Sequence, residues 1–408
     1  MIGPNASGPT SHGPDTSHPD ASCSNANRSN ANRPNANRPN ANRPDANRLD
    51  AAVAAAVRAA RPYATAVTIA LVHGDRAEVR CFGRTGRSPG AAPCTPGTVF
   101  ELGSVSKTFT ALLLAEMAAR GELALDDPVE DRLPHRWRAA KVRSAEPIRL
   151  LHLATHTSGL PGLPPGLLAK AVPAWFSNPY ETYGDEQLRE SLARTTVRGT
   201  PGSRYGYSNY GVGLLGRLLA ETGGMPYGDL LAERICRPLG LRATTCAPDP
   251  PGRATGYRRG RALPPWRIPG LPGAGAVRAD GADLLRYLRA HLDGGTAAAP
   301  GSGPAPNPAG EPAADPGDGL GAALRDVQRL RLRLPHSTDR IGLVWMHRRS
   351  GDRDLYFHSG GTRGFTAFVG FSPEGSAAVA AVANTAPALD GRFVQAGYEV
   401  LRVASRCQ

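Results

Sequence analysis

A chain of 408 residues with 40% hydrophobic content can bury a core divided between two lobes, and its composition is globular apart from 48 Gly and 38 Pro, which mark unstructured stretches. The formal net charge of +13 is scattered: residues 1–48 carry five Arg against three Asp, and no Lys/Arg-rich run interleaves with aromatics, which argues against nucleic-acid binding. Six cysteines (Cys23, Cys81, Cys94, Cys236, Cys246, Cys407) lie far apart without a Cys-x-x-Cys pair, which argues against zinc and thioredoxin-like sites and for free or buried thiols.

The first segment, "MIGPNASGPTSHGPD", has neither a basic stretch nor a following apolar one, so no secretory signal is read and the chain is expected to be cytoplasmic, with export from a differently assigned start as the alternative. From Ser24 to Arg48 a five-residue unit recurs as SNANR, SNANR, PNANR, PNANR, PDANR, polar throughout. Having nothing to bury, it cannot offset its ordering entropy, and residues 1–48 are expected to form a disordered tail before a folded domain over 49–408. "LDAAVAAAVRAA" from Leu49 reads as a helix, and "ATAVTIALVHGDRAEVRCFG" as a hairpin turning at Gly74-Asp75. Helical patterns dominate from Ser104 to about Ala290, broken by Pro/Gly loops, and residues 293–319 form a second low-complexity stretch expected to be a flexible surface insertion. Strand-like runs follow at "RIGLVWMH", "RDLYFH", "FTAFVGF" and "SAAVAAVAN", before a closing helix from about Phe393 to Val403. Strands at both ends with helices between them predict one sheet assembled from the two termini, a helical lobe over about 104–270, and a cleft where they meet. No run approaches the roughly 18 apolar residues of a membrane span.

Chemistry is concentrated in three short segments. "FELGSVSKTFT" places Lys107 three residues after Ser104, on the same face of a helix that begins near Ser104. The chain has only three lysines (Lys107, Lys141, Lys170) against 45 arginines, and this position asks for something Arg cannot give. A Ser hydroxyl needs a neighbouring base to become a nucleophile, and a buried Lys can lose its proton near neutrality whereas a guanidinium cannot. "PGSRYGYSNYGVGLLG" offers a phenol and an amide at Tyr207-Ser208-Asn209, in a loop before a helix. "RDLYFHSGGTRGF" puts His358-Ser359-Gly360 at a strand end, where a cation, a hydroxyl and an open backbone can face a cleft.

In this order the three segments resemble those of the penicillin-recognising serine hydrolases: class C β-lactamases, D,D-carboxypeptidases, and related esterases and D-aminopeptidases. The similarity extends over about residues 50–405; "LLHLATHTSGLP" and "GAVRADGADLLRYL" resemble further family segments, the latter with Ala279-Asp280 in place of Ser-Thr. The resemblance implies a β-lactamase/transpeptidase-like fold: an antiparallel sheet of about five strands flanked by helices in an α/β/α sandwich, plus a mostly helical lobe. It implies that Ser104 is the nucleophile, Lys107 its base and Tyr207 a proton relay to the leaving group. Asn209, His358, Ser359 and Gly360 would bind substrate, and the backbone N–H groups of Ser104 and Gly361 would form the oxyanion hole. The chain departs from class C enzymes in having His358 for Lys and Ser359 for Thr, and a cationic His358 would reshape the rate profile near neutral pH. The implied activity is hydrolysis of an amide, β-lactam or ester through a Ser104 acyl-enzyme, by a monomer acting on a small molecule, without cofactor or metal. A carboxylesterase or D-aminopeptidase on the same scaffold is the alternative, and a catalytically silent penicillin-binding sensor is the alternative of another class.

Other patterns are read as structural. "GVGLLG" (Gly211, Gly213, Gly216) has dinucleotide-binding spacing but follows a Tyr-rich loop rather than a strand, so it is assigned to helix packing. His152 and His156 are four apart without the Glu of a metalloprotease helix, and "SKT" lacks the Gly that precedes Lys in a phosphate loop. Tyr205 and Tyr210 are assigned to cleft wall or core.

Overall fold

The computed structural model describes residues 43–167, 178–294, 319–335 and 337–406. The expectations for residues 1–42 of the tail and for 295–318 of the insertion lie outside these. The first helix, α1, runs Arg43–Ala60, so it begins six residues before Leu49 and takes in the last copy of the pentapeptide. Its buried residues Leu49, Val53, Ala56 and Ala60 recur at helical spacing and define the face that docks.

The predicted hairpin forms as β1 (Ala66–His73) and β2 (Arg76–Gly83). Six further strands follow: β3 (Leu332–Arg333), β4 (Arg340–Ile341), β5 (Met346–Ser350), β6 (Arg353–Gly361), β7 (Thr366–Ser372) and β8 (Ala377–Ala383). They assemble in the order β2-β1-β8-β7-β6-β5-β4-β3, antiparallel throughout, so the sheet is built from the two ends of the described chain. Among the described residues this sheet has eight strands where about five were expected. Two of the additions are the two-residue strands β3 and β4 at one edge. The run "RIGLVWMH" is also divided, because Val344 adopts φ +66° and turns the chain between β4 and β5.

Alternation along the central strands sorts the two faces. Val67, Ile69, Leu71, Val379 and Ala381 pack with α1 and with α5 (Arg392–Ala404), the predicted closing helix, through Phe393, Val400 and Leu401. Ala66, Ala70, Val72, Ala380 and Val382 belong to the opposite layer, which includes Leu284 and Leu288 of α4 (Gly281–Asp293). Asp280 caps α4 by accepting the Asp283 N–H at 2.7 Å.

Between the sheet and the helical lobe lies α2 (Ser106–Ala119), in which every residue from Ser106 to Met117 is buried. Against it lies α3 (Asn209–Thr222), and a short turn of helix, Pro272–Gly275, packs on both. The glycines of "GVGLLG" permit that approach: a Cβ on Gly213 would stand 2.4 Å from a Leu271 methyl, and one on Gly216 would stand 2.9 Å from the Gly273 Cα. Helix packing is therefore their structural role.

Candidate active site

The nucleophile segment is shaped by close backbone contact. Gly103, at φ +52°, opens a turn of 3₁₀ helix (Gly103–Val105) that leads into α2 and sets Ser104 at its start. The end of β6 presses on this turn so tightly that a Cβ on Gly360 would lie 2.1 Å from Leu102 O and one on Gly103 would lie 2.5 Å from Gly361 O. Only glycine fits at both positions, and the contact sets the Gly361 backbone beside Ser104.

Lys107, one turn further on, is wholly buried. Its Nζ donates to Ala274 O at 2.8 Å and lies 2.9 Å from Ser104 Oγ. Its other close neighbour is the face of the Tyr207 ring, 5.1 Å from Nζ to the centroid. No carboxylate offsets the loss of water, so burial brings the ammonium down to about 7. Tyr207 as a residue is 41% exposed, but its hydroxyl end turns inward to hydrogen-bond with Ser104. Burial of that end pushes the phenol up to about 12. Of the two groups touching Ser104, then, Lys107 can be unprotonated near neutrality while Tyr207 keeps its proton.

Tyr207 and Asn209 are held in register by the residue between them. Ser208 caps α3 by accepting the Gly211 N–H at 2.8 Å, donates its hydroxyl to Pro161 O at 2.7 Å, and gives its backbone N–H to His156 Nδ1 at 3.2 Å. His156, at φ +58°, stacks obliquely on Tyr207 with ring centroids 4.6 Å apart. Burial and the nearby Lys107 and His358 hold its pKa well below the usual value. His152 serves similarly, accepting the Arg149 N–H through Nδ1 at 3.2 Å. Both histidines thus brace backbone, as expected. Tyr210 is fully buried in the core, and Tyr205 lines the cleft beside His156.

Two cavities open on either side of Ser104. One, of about 430 Å³, is lined by Tyr207, His358, Ser359, Gly360 and Gly361. The other, of about 360 Å³, is lined by Asn209, Tyr180, Trp266, Thr362 and Arg363. Ser104, Tyr207, Asn209, His358, Ser359, Gly360 and Gly361 therefore line these two adjoining cavities, and Lys107 is buried behind Ser104. Asn209 donates Nδ2 to the Tyr180 hydroxyl at 3.2 Å, while its Oδ1 is buried with no hydrogen-bond partner. A buried amide oxygen left unmatched is costly, and an N–H donor from a bound molecule would satisfy it.

His358 does not behave as its sequence context suggests. It is buried, its Nδ1 lies 2.8 Å from Ser359 O, and burial together with Lys107 drives its pKa down to about 3. The ring is therefore neutral near pH 7 and cannot reshape a rate profile there. With Nδ1–H given to Ser359 O, Nε2 is the acceptor end.

Sequence reasoning missed a supporting layer. Glu101, in the same "FELGS" segment as Ser104, is almost completely buried, and burial raises its pKa. Its carboxylate accepts from Thr362 Oγ1 and from the Trp266 N–H, both at 2.8 Å, within 4.0 Å of Arg278 and 3.9 Å of Arg253. It thereby ties the turn after β6 to the wall of the second cavity. An acidic residue inside the apolar run "VFELG" was the available signal.

The β-lactamase family model matches residues 45–404, and the chain belongs to that family. It is 31% identical over 232 residues to the D-alanyl-D-alanine-carboxypeptidase/endopeptidase AmpH of Escherichia coli K12, covering 56% of this chain and 58% of that protein. It is 33% identical over 205 residues to a β-lactamase of the same organism, covering 49% of each. The chain thus spans about half the length of the curated relatives it matches. Among solved structures, a β-lactamase/D-alanine carboxypeptidase from Yersinia pestis superposes with a TM-score of 0.70 at 22% identity, covering 89% of this chain and 98% of that one. The fold is therefore that of the class C β-lactamases and D-alanine carboxypeptidases. Among the described residues no helix is long and apolar enough to cross a membrane.

Proposed function

We propose that the chain hydrolyses an amide or β-lactam bond, or an ester, through an acyl-enzyme on Ser104, in the manner of a β-lactamase or D,D-carboxypeptidase. The observation that carries this reading is the buried Lys107 amine, 2.9 Å from Ser104 Oγ and brought to about 7 by desolvation. The neutral amine takes the Ser104 proton as Oγ bonds to the substrate carbonyl carbon. The carbonyl oxygen becomes an oxyanion between the Ser104 and Gly361 N–H groups. When the tetrahedral adduct collapses, the bond to the leaving group breaks, Tyr207 passes a proton to the leaving atom, and Lys107 restores the phenol's proton. Water then repeats the sequence in reverse and frees Ser104. Asn209 Oδ1 accepts a substrate amide N–H, and β6 with His358 and Ser359 lines the leaving-group side. All these groups come from one chain, so the reading requires no second copy.

The test is Ser104→Ala, assayed with a chromogenic cephalosporin, a short-chain nitrophenyl ester and a D-Ala-D-Ala peptide, and labelled with a fluorescent penicillin or fluorophosphonate. Turnover and labelling should both vanish. Labelling that persists on the variant would overturn the nucleophile assignment, and a stable penicilloyl adduct without turnover on the parent would indicate a sensor instead.

A further inference from the structure

The two cavities flanking Ser104 differ in charge. The leaving-group cavity, marked by the proton-donating Tyr207, is lined among the described residues by no Lys or Arg, and its two histidines are neutral near pH 7. The other cavity is lined by both Asn209 and Arg363. Arg363 sits in the turn between β6 and β7, next to Gly364, whose carbonyl accepts the Tyr257 N–H at 3.2 Å. That bond brings the short strand Gly256–Arg258 alongside the turn, where the charge of Arg258 acts on Arg363. Arg258 and desolvation both disfavour the charge on Arg363, and the Tyr180 hydroxyl lies close by. Like charges that act on each other at a partly buried site raise each other's cost, and an added anion lowers it. A guanidinium has five donors in a planar fork, so it can grip a carboxylate while keeping another partner.

Resting on the Ser104 acyl-enzyme reading, we propose that this second cavity is an acyl-side anion subsite: Arg363, with Arg258 behind it, selects substrates whose acyl portion carries a carboxylate. The scissile carbonyl sits at Ser104, Asn209 Oδ1 orients the acyl chain where it has an amide, and the distal carboxylate reaches Arg363. A fixed cation serves as a substrate contact over the whole working pH range.

The experiment compares mono-p-nitrophenyl adipate with p-nitrophenyl hexanoate, which share a leaving group and chain length and differ by the terminal carboxylate. The parent enzyme should favour the adipate ester in kcat/KM by roughly tenfold or more, as expected for one charge-assisted contact. Arg363→Gln should abolish that preference, lowering kcat/KM for the adipate ester more than for the hexanoate ester, and Arg363→Lys should restore part of it. Added salt should weaken the preference. In parallel, calorimetry on Ser104→Ala measures binding of the intact esters without chemistry, and there too the adipate ester should bind more tightly. Equal use of the two esters by the parent, or a preference that survives Arg363→Gln, overturns the subsite. If the parent hydrolyses neither ester, ester turnover fails separately, and the binding preference of Ser104→Ala, with or without Arg363→Gln, decides the subsite alone.

Discussion

At the scale of single residues, the site depends on one lysine kept where it is least comfortable. Lys107 has its pKa depressed from 10.5 to about 7 by burial, so the folded state binds its proton less tightly than the unfolded state does. The folded state is therefore penalised progressively as pH falls from 10.5 to 7, and stability rises again as pH climbs through that window. Lys107→Met removes the term: its melting temperature should exceed the parent's by more at pH 6 than at pH 10, measured by scanning calorimetry, while kcat falls by roughly a thousandfold or more. A melting difference independent of pH would show that Lys107 is not desolvated. For the same reason the ascending limb of the parent's rate profile should lie near pH 7 and belong to Lys107, with no inflection from His358 between pH 5 and 8. His358→Lys would place a permanent cation on the leaving-group side, and should raise the ratio of carboxylate-bearing β-lactam to neutral ester turnover. An unchanged ratio would remove that position from substrate selection. Lys107 was legible in the sequence because an Arg-rich chain made an exception there. The neutrality of His358 was not, because the ring's burial and its nearness to Lys107 come from packing of β6 against a turn some 250 positions earlier in the chain.

At the scale of elements, the decisive contact is the end of β6 against the 3₁₀ turn at Gly103–Val105. A Cβ on Gly360 meets Leu102 O at 2.1 Å and Ser104 N at 3.0 Å, and since these are backbone atoms no side-chain rotation relieves the clash. Gly360→Ala should push β6 off the turn and cost kcat roughly a hundredfold, the scale of losing one oxyanion donor, with KM less affected. Steady-state kinetics would check it, and a fully active Gly360→Ala enzyme would contradict the contact. The motifs themselves were readable because each is a short local string. The number of strands was not: "RIGLVWMH" is continuous in hydrophobicity, and only the positive φ of Val344, whose N–H is held by Ala154 O at 2.9 Å, divides it.

For the whole molecule, the N-terminal boundary carries the clearest test. Removing residues 2–42 should leave melting temperature and activity unchanged, since the polar pentapeptide repeat offers nothing to bury. Extending the deletion through Ala60 strips Leu49, Val53, Ala56 and Ala60 from the face of Val67, Ile69 and Leu71. At about 1.5–3 kcal/mol for each large apolar side chain, that loss consumes much of the roughly 5–15 kcal/mol that holds a domain folded. The longer deletion should therefore fail to give soluble, cooperatively melting protein, and normal melting would show that α1 is dispensable. The sequence alone determined the identity of the candidate nucleophile, its base and their companions, the hairpin, the closing helix and a sheet built from both ends, because periodicity and short motifs are written in neighbouring residues. Tertiary structure decided the rest: that Lys107 loses its water and His358 its charge, that Glu101 ties Thr362 to Trp266, and that Arg363 faces a cavity. Desolvation, charge proximity and backbone approach depend on which distant segments are packed together, and no local pattern of residue types encodes them.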